Sequence, residues 1–226
     1  MPYCMRCGVR LPEDKEARFC PNCGAPIYFG MLGHVNMKKE RRESLHLIAG
    51  KTRFLTVSTV LFLCMIVTSA GAVSKVDKSQ AQAIIEEFKG MEKMLQTVGV
   101  QLIFGNNMMY CLVMFIPFVG PISGLYILYS TGKVLAASSS AVGVNPMLLF
   151  LNLMTYPYAW LEYISYSLAI SESIWLSFCI LKYGLKGFRA EIIQVAKSIS
   201  ICAVLLLVGA LIEMALIRSV SSLIPP

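Results

Sequence analysis

Charge is scarce in this sequence: 15% of its 226 residues are Asp, Glu, Lys or Arg, where soluble domains carry about a quarter. With 56% hydrophobic residues and a mean hydropathy of +0.65, that scarcity excludes an ordinary water-soluble globule. Histidine is scarcer still. The chain has two, His34 and His46, both in a polar stretch near the N-terminus. No His-Glu-x-x-His and no Gly-x-Ser-x-Gly occurs, so the metalloprotease and nucleophile-elbow patterns are missing and no enzyme is expected. The first 45 residues lack the apolar core and cleavage site of a secretory signal, and the N-terminus reads as mature.

What is present instead is a series of long apolar runs separated by small charged islands. A helix crosses about 30 Å of hydrocarbon with roughly 20 residues. The charge pattern and the breaks at Ile116-Pro117-Phe118-Val119-Gly120-Pro121 and Asn145-Pro146 give spans near 52–74, 99–118, 120–143, 147–181 and 195–217, because proline cannot continue a helix without losing a hydrogen bond. The fourth is overlong and is expected to bend or break at Pro157. Between Val98 and Leu161 the single charge is Lys133. A different cut, with a span near 108–131, puts Lys133 in a cytoplasmic turn and keeps the total at five.

The expected architecture is therefore an all-α polytopic membrane protein of about five transmembrane helices, with residues 1–29 a small ribbon, 30–51 a basic linker and 52–226 the membrane domain. The net charge of +7 is unevenly placed: residues 1–53 hold ten Lys/Arg against five Asp/Glu. Lys182, Lys186, Arg189 and Lys197 against Glu191 form a second positive island. Both islands point inward by the positive-inside rule, which gives a cell-membrane protein with its N-terminus in the cytoplasm and its C-terminus outside.

The ribbon rests on Cys4-x-x-Cys7 and Cys20-x-x-Cys23, two knuckles twelve residues apart, each followed by glycine. Four thiolates at this spacing form a closed tetrahedral set for Zn2+, structural because no coordination position is left open. Fewer than thirty residues bury too little to fold alone, and metal binding would supply the stability. Arg6, Arg10, Lys15 and Arg18 are balanced by Glu13, Asp14 and Glu16, which disfavours nucleic acid and leaves protein docking. The other cysteines, Cys64, Cys111, Cys179 and Cys202, are isolated in apolar runs and read as small packing residues.

Residues 75–97 carry four Lys and four acidic residues and are expected outside the membrane. Ile84, Phe88, Met91, Leu95, Val98 and Leu102 recur at spacings of 4 and 3, a heptad seam on one helix face, with Ser79 and Gln82 as a capping box. Such a helix lies on the bilayer surface or against a second subunit. Within the apolar runs stand Glu162, Glu172 and Glu213, and residues of this kind face a bundle interior or water. Glu162, Ser165, Ala169 and Glu172 share one helical stripe, and Ser165-Ala169-Ser173-Ser177 and Gly120-Gly124 set small residues four apart, as close helix packing requires. The carboxylates are either hydrogen-bonded in a packed interface or line an ion path, with Lys133 a candidate partner.

Asn106-Asn107, Gly120, Thr131-Gly132-Lys133, Pro157-Tyr158-Ala159-Trp160-Leu161-Glu162 and Gly209-Ala210-Leu211-Ile212-Glu213 together resemble the stage II sporulation protein M family, over most of residues 52–226. In that family a Pro-His-Gly precedes the glutamate; here Tyr158 and Ala159 stand in place of His and Gly. A ribbon ahead of such a domain is similar to the archaeal branch. The resemblance implies a five-span membrane protein that, in spore formers, scaffolds a complex of cell-wall hydrolases; it does not imply that this chain is itself a hydrolase. A scaffold or assembly subunit is the first reading, with the bilayer, other membrane or extracytoplasmic proteins and a second copy of the chain as partners. A transporter or channel using Asn106, Asn107, Glu162, Glu172 and Glu213 is the second.

Overall fold

The computed structural model describes residues 3, 4, 6–10, 19–25 and 31–223. The chain divides into two compact units, Met1–Thr52 and Arg53–Pro226. Among the described residues every regular element is a helix: α1 (Met31–Ala72), α2 (Lys78–Val98), α3 (Val100–Met114), α4 (Gly120–Val142), α5 (Pro146–Leu153), α6 (Pro157–Tyr183) and α7 (Leu185–Leu223). The basic stretch after the ribbon is thus helical from Met31 onward.

Each break has a local cause. Gly99, at φ 68°, ends α2 and opens α3, a left-handed backbone that glycine adopts without strain. The 115–119 turn places Phe118 at φ 64°, a conformation that costs a bulky residue, and Ser177 on α6 accepts its amide at 2.7 Å. Asn145 caps α5, its side chain accepting from the Met147 amide. Pro157 starts α6, so the overlong run breaks where the proline stands.

Three helical stretches are long and apolar enough to cross a membrane: Gly50–Ala72, Pro157–Tyr183 and Glu191–Ser219. The other two expected spans do not meet both criteria. α3 has 15 residues, about 22 Å at 1.5 Å per residue, short of the hydrocarbon thickness. α4 has 23 residues, but Gly, Ser, Thr, Tyr and Lys133 dilute its apolar character. The expected break near Asn145-Pro146 is present, and α5 is an 8-residue helix beyond it.

α6 is the hub of Arg53–Pro226. Half of its apolar window is buried, against 22% for the corresponding stretch of α1, and it packs on α3, α4 and α7. Its stripe of small residues is the reason. Ser165, Ala169 and Ser173 are fully buried, which lets neighbours approach closely. α1 and α4 cross closely: a Cβ added to Gly132 would lie 2.2 Å from the Thr68 carbonyl, and one on Gly71 would lie 2.2 Å from the Tyr129 carbonyl. Met114, Ile170, Leu206, Cys64, Cys111 and Cys202 fill the core, so three of the four isolated cysteines are packing residues there. Large exposed side chains such as Phe54, Phe62 and Ile122 lie on outer faces that lipid would cover.

The seam read from Ile84 to Leu102 needs correction. It ends at Val98, because Gly99 turns the chain and puts Leu102 on α3. The cap is Asp77, not Ser79 with Gln82: Asp77 accepts from the Gln80 amide at 2.8 Å, and Ser79 donates its hydroxyl to the same carboxylate. α2 packs on α3 and α4 but keeps Phe88, Met94 and Val98 about half exposed.

Candidate functional site

The four-cysteine centre is built from two like knuckles. In the first, the Cys4 amide donates to the Val9 carbonyl at 2.8 Å and Gly8 donates to Cys4 at 2.9 Å. The second repeats this with Cys20 to Ala25 at 2.7 Å and Gly24 to Cys20 at 2.9 Å. Gly8 and Gly24 both have φ near +70° (+70° and +66°), the turn that the glycine after each Cys-x-x-Cys permits. A short antiparallel bridge, Tyr3 to Arg10, flanks the first knuckle.

The sulfurs of Cys4, Cys7, Cys20 and Cys23 all lie within 4.8 Å of one another. Cys4 and Cys23 are 3.6 Å apart, and Cys7 and Cys20 are 3.7 Å apart. A tetrahedron of thiolates about 2.3 Å from a zinc ion has edges of about 3.8 Å, so the spacing suits a metal ion and is far too long for disulfides. The Val9 amide, and then the Asn22 side chain, bring the Cys7 thiol down to about 6. The Arg6 and Cys7 amides lower Cys4. At Cys23 the opposing pull of the Ala25 amide is outweighed by burial and the facing sulfurs, and the thiol rises to about 12. One thiolate forms readily here, and further negative charge calls for a cation.

Within Arg53–Pro226 the ionisable residues form two separate clusters. In the first, Arg53 on α1 donates to both oxygens of Glu172 on α6, at 3.2 and 3.1 Å, and to Glu191 on α7. Ser198 donates to Glu172 at 3.2 Å, and the guanidinium lies 5.5 Å from the Trp175 ring centre. The Glu172 side chain is 6% exposed. One planar cation thus ties three helices, Nη1 serving Glu172 and Nη2 serving Glu191, a division that the guanidinium fork permits.

In the second cluster Asn107 on α3 donates its amide to Glu162 on α6. Glu213 on α7 and Tyr158 on α6 lie near Glu162. Asn106 is not part of this bond. Lys133 stands inside α4, half-buried, so it is not in a turn. Its charge acts weakly on Asp77 at the start of α2, and among the described residues it pairs with none of the three glutamates.

Arg53, Glu191 and Ser198 are the site residues that sequence reasoning missed. Arg53 reads as one more basic flank and Glu191 as one more loop charge. The available signal is position: Arg53 directly precedes an uncharged run, and Glu191 is the lone acid of a basic island. No family model matches the chain, and neither a curated protein nor a solved structure matches it.

Proposed function

We propose that this chain is a non-enzymatic membrane scaffold or assembly subunit whose ribbon binds structural Zn2+ and docks a cytoplasmic protein. In this reading α3 and α4 cross the bilayer together with the three long apolar stretches, giving five spans, N-terminus inside and C-terminus outside. Helix α2 is then external. The observation that carries the proposal is the treatment of the carboxylates: Glu172 and Glu191 are taken by Arg53, and Glu162 is bonded to Asn107. These are contacts of a packed bundle, and packing surfaces are what an assembly subunit needs. The resemblance to stage II sporulation protein M supports the same reading.

The test is affinity purification of the tagged full chain in mild detergent, followed by mass spectrometry. A stoichiometric membrane or extracytoplasmic partner is expected; a clean homo-oligomer overturns the scaffold. Cys20→Ser is expected to release one zinc per chain without loss of membrane insertion, and retained zinc would sink the ribbon assignment. Cysteine at Gln80 should be labelled from outside and cysteine at Lys39 from inside.

A second reading is favoured by one observation, the gathering of Glu162, Glu213 and Tyr158 on two facing helices. Carboxylates so placed suit cation or proton passage. Flux in liposomes that is abolished by Glu162→Gln and Glu213→Gln would move the function to transport.

A further inference from the structure

One cavity of the bundle belongs to neither polar cluster. Leu112, Phe115 and Ile116 at the end of α3, Leu176 on α6, and Phe188 and Ile192 on α7 line about 250 Å³ of half-open space. Its walls are apolar side chains throughout. Leu112, Ile116 and Ile192 are 44%, 46% and 45% exposed, so the opening is on the outer surface of the helices. Both α6 and α7 contain stretches long and apolar enough to cross a membrane, and an opening between such helices faces hydrocarbon. The space is below the roughly 300–1,000 Å³ of pockets for drug-sized ligands, and it suits a segment of one acyl chain rather than a docked helix.

The exposed charges at this end of α6 and α7, Lys182, Lys186, Arg189 and Lys197, are all basic. Arg189 stands one turn before Ile192 on α7 and Lys186 stands in the first turn of the same helix; both are exposed. Among the described residues neither pairs with a carboxylate, and Glu191, the acid nearest in sequence, is held by Arg53. An apolar cavity within the bilayer next to unneutralised basic residues is complementary to a lipid with an anionic headgroup. We propose that this cavity binds an anionic phospholipid, one acyl chain in the apolar space and the phosphate at Lys186 and Arg189. The site depends only on α6 and α7 crossing a membrane, and it stands whether the protein scaffolds or transports.

The experiment uses the full chain in phosphatidylcholine nanodiscs containing a small share of phosphatidylglycerol with a diazirine on its acyl chain. After irradiation, labelling is expected to concentrate on peptides that contain Leu112, Ile116 and Ile192. Labelling spread evenly over the outer faces of α1, α6 and α7 overturns the site. Ile192→Trp, a change at an exposed position, should fill the space and remove labelling at Leu112 and Ile116; undiminished labelling there overturns it equally. Lys186→Gln with Arg189→Gln should reduce the preference for phosphatidylglycerol over a diazirine phosphatidylcholine by about fivefold for each charge, roughly 25-fold together. Equal labelling by the two lipids in the unaltered protein overturns the headgroup assignment.

Discussion

Glu162 and Glu172 stand on the same helix, about 15 Å apart along its axis, and the bundle treats them in opposite ways. Glu172 meets a positive charge: Arg53 grips both its oxygens, Ser198 adds a third hydrogen bond, and Glu191 shares the guanidinium. Glu162 meets a neutral amide, Asn107, and among the described residues no cation pairs with it. A buried carboxylate and its counter-charge form a unit that cannot lose one member cheaply. A carboxylate held by an amide can change partner or be replaced by its neutral isostere with the bond kept. The first is a tie between α1, α6 and α7. The second is the adaptable place in the molecule, where any chemistry beyond packing would have to occur.

The largest expected effect breaks the first member of the pair. Arg53→Met leaves Glu172 and Glu191 without a cation, and removing one partner of a buried pair costs about 3–5 kcal/mol. Thermal unfolding in detergent should show that loss, with partial recovery in the double change Arg53→Met with Glu172→Gln. A midpoint within a degree or two of the unaltered protein would mean that the tie contributes nothing. Gly132→Ala comes next. Its new Cβ would lie 2.2 Å from the Thr68 carbonyl, so α1, the helix that carries Arg53, must move from α4, at a cost of about 1–3 kcal/mol. Glu162→Gln sharpens the contrast from the other side: its carbonyl still accepts from Asn107, and the change should stay within about 1 kcal/mol. A loss as large as that of Arg53→Met would erase the distinction between the two glutamates.

The asymmetry also explains what could be read without a structure. The four-cysteine cluster was legible, because both knuckles are local: Cys-x-x-Cys and the glycine after it set the sulfurs and the turn within a few residues. The small-residue stripe of α6 was legible for the same reason, as were the breaks at Asn145-Pro146 and Pro157. Arg53 was not, since its partners lie 119 and 138 residues away and only the packing of three helices makes them neighbours. The Phe118 turn was half legible. Pro117 announced a break, but a phenylalanine at φ 64° is stabilised by Ser177 from another helix. The heptad count from Ile84 to Leu102 went wrong because periodicity runs through a glycine in the text while the backbone stops at it.

Asp77 offers a third way of holding a carboxylate and the smallest effect. It lies outside the three long apolar stretches, at the head of α2. Its acidity is raised first by the Gln80 amide and then by the Ser79 hydroxyl, with Lys133 adding a smaller attraction, so its pKa falls below the ordinary 3.8. A carboxylate bound more tightly in the folded state contributes stability that is complete above the unfolded value and disappears as pH falls through the folded one. The α2 cap should therefore be unchanged from neutral pH down to about 5 and weaken below about 4. Asparagine caps helices as well as aspartate does and does not titrate, so Asp77→Asn supplies the reference at each pH. Hydrogen exchange of the Gln80 and Ala81 amides, taken as a ratio to that variant, should rise as the pH is lowered from 5 to 3. A ratio that stays flat would place the hold on α2 in its packing against α3 and α4, with the cap contributing nothing.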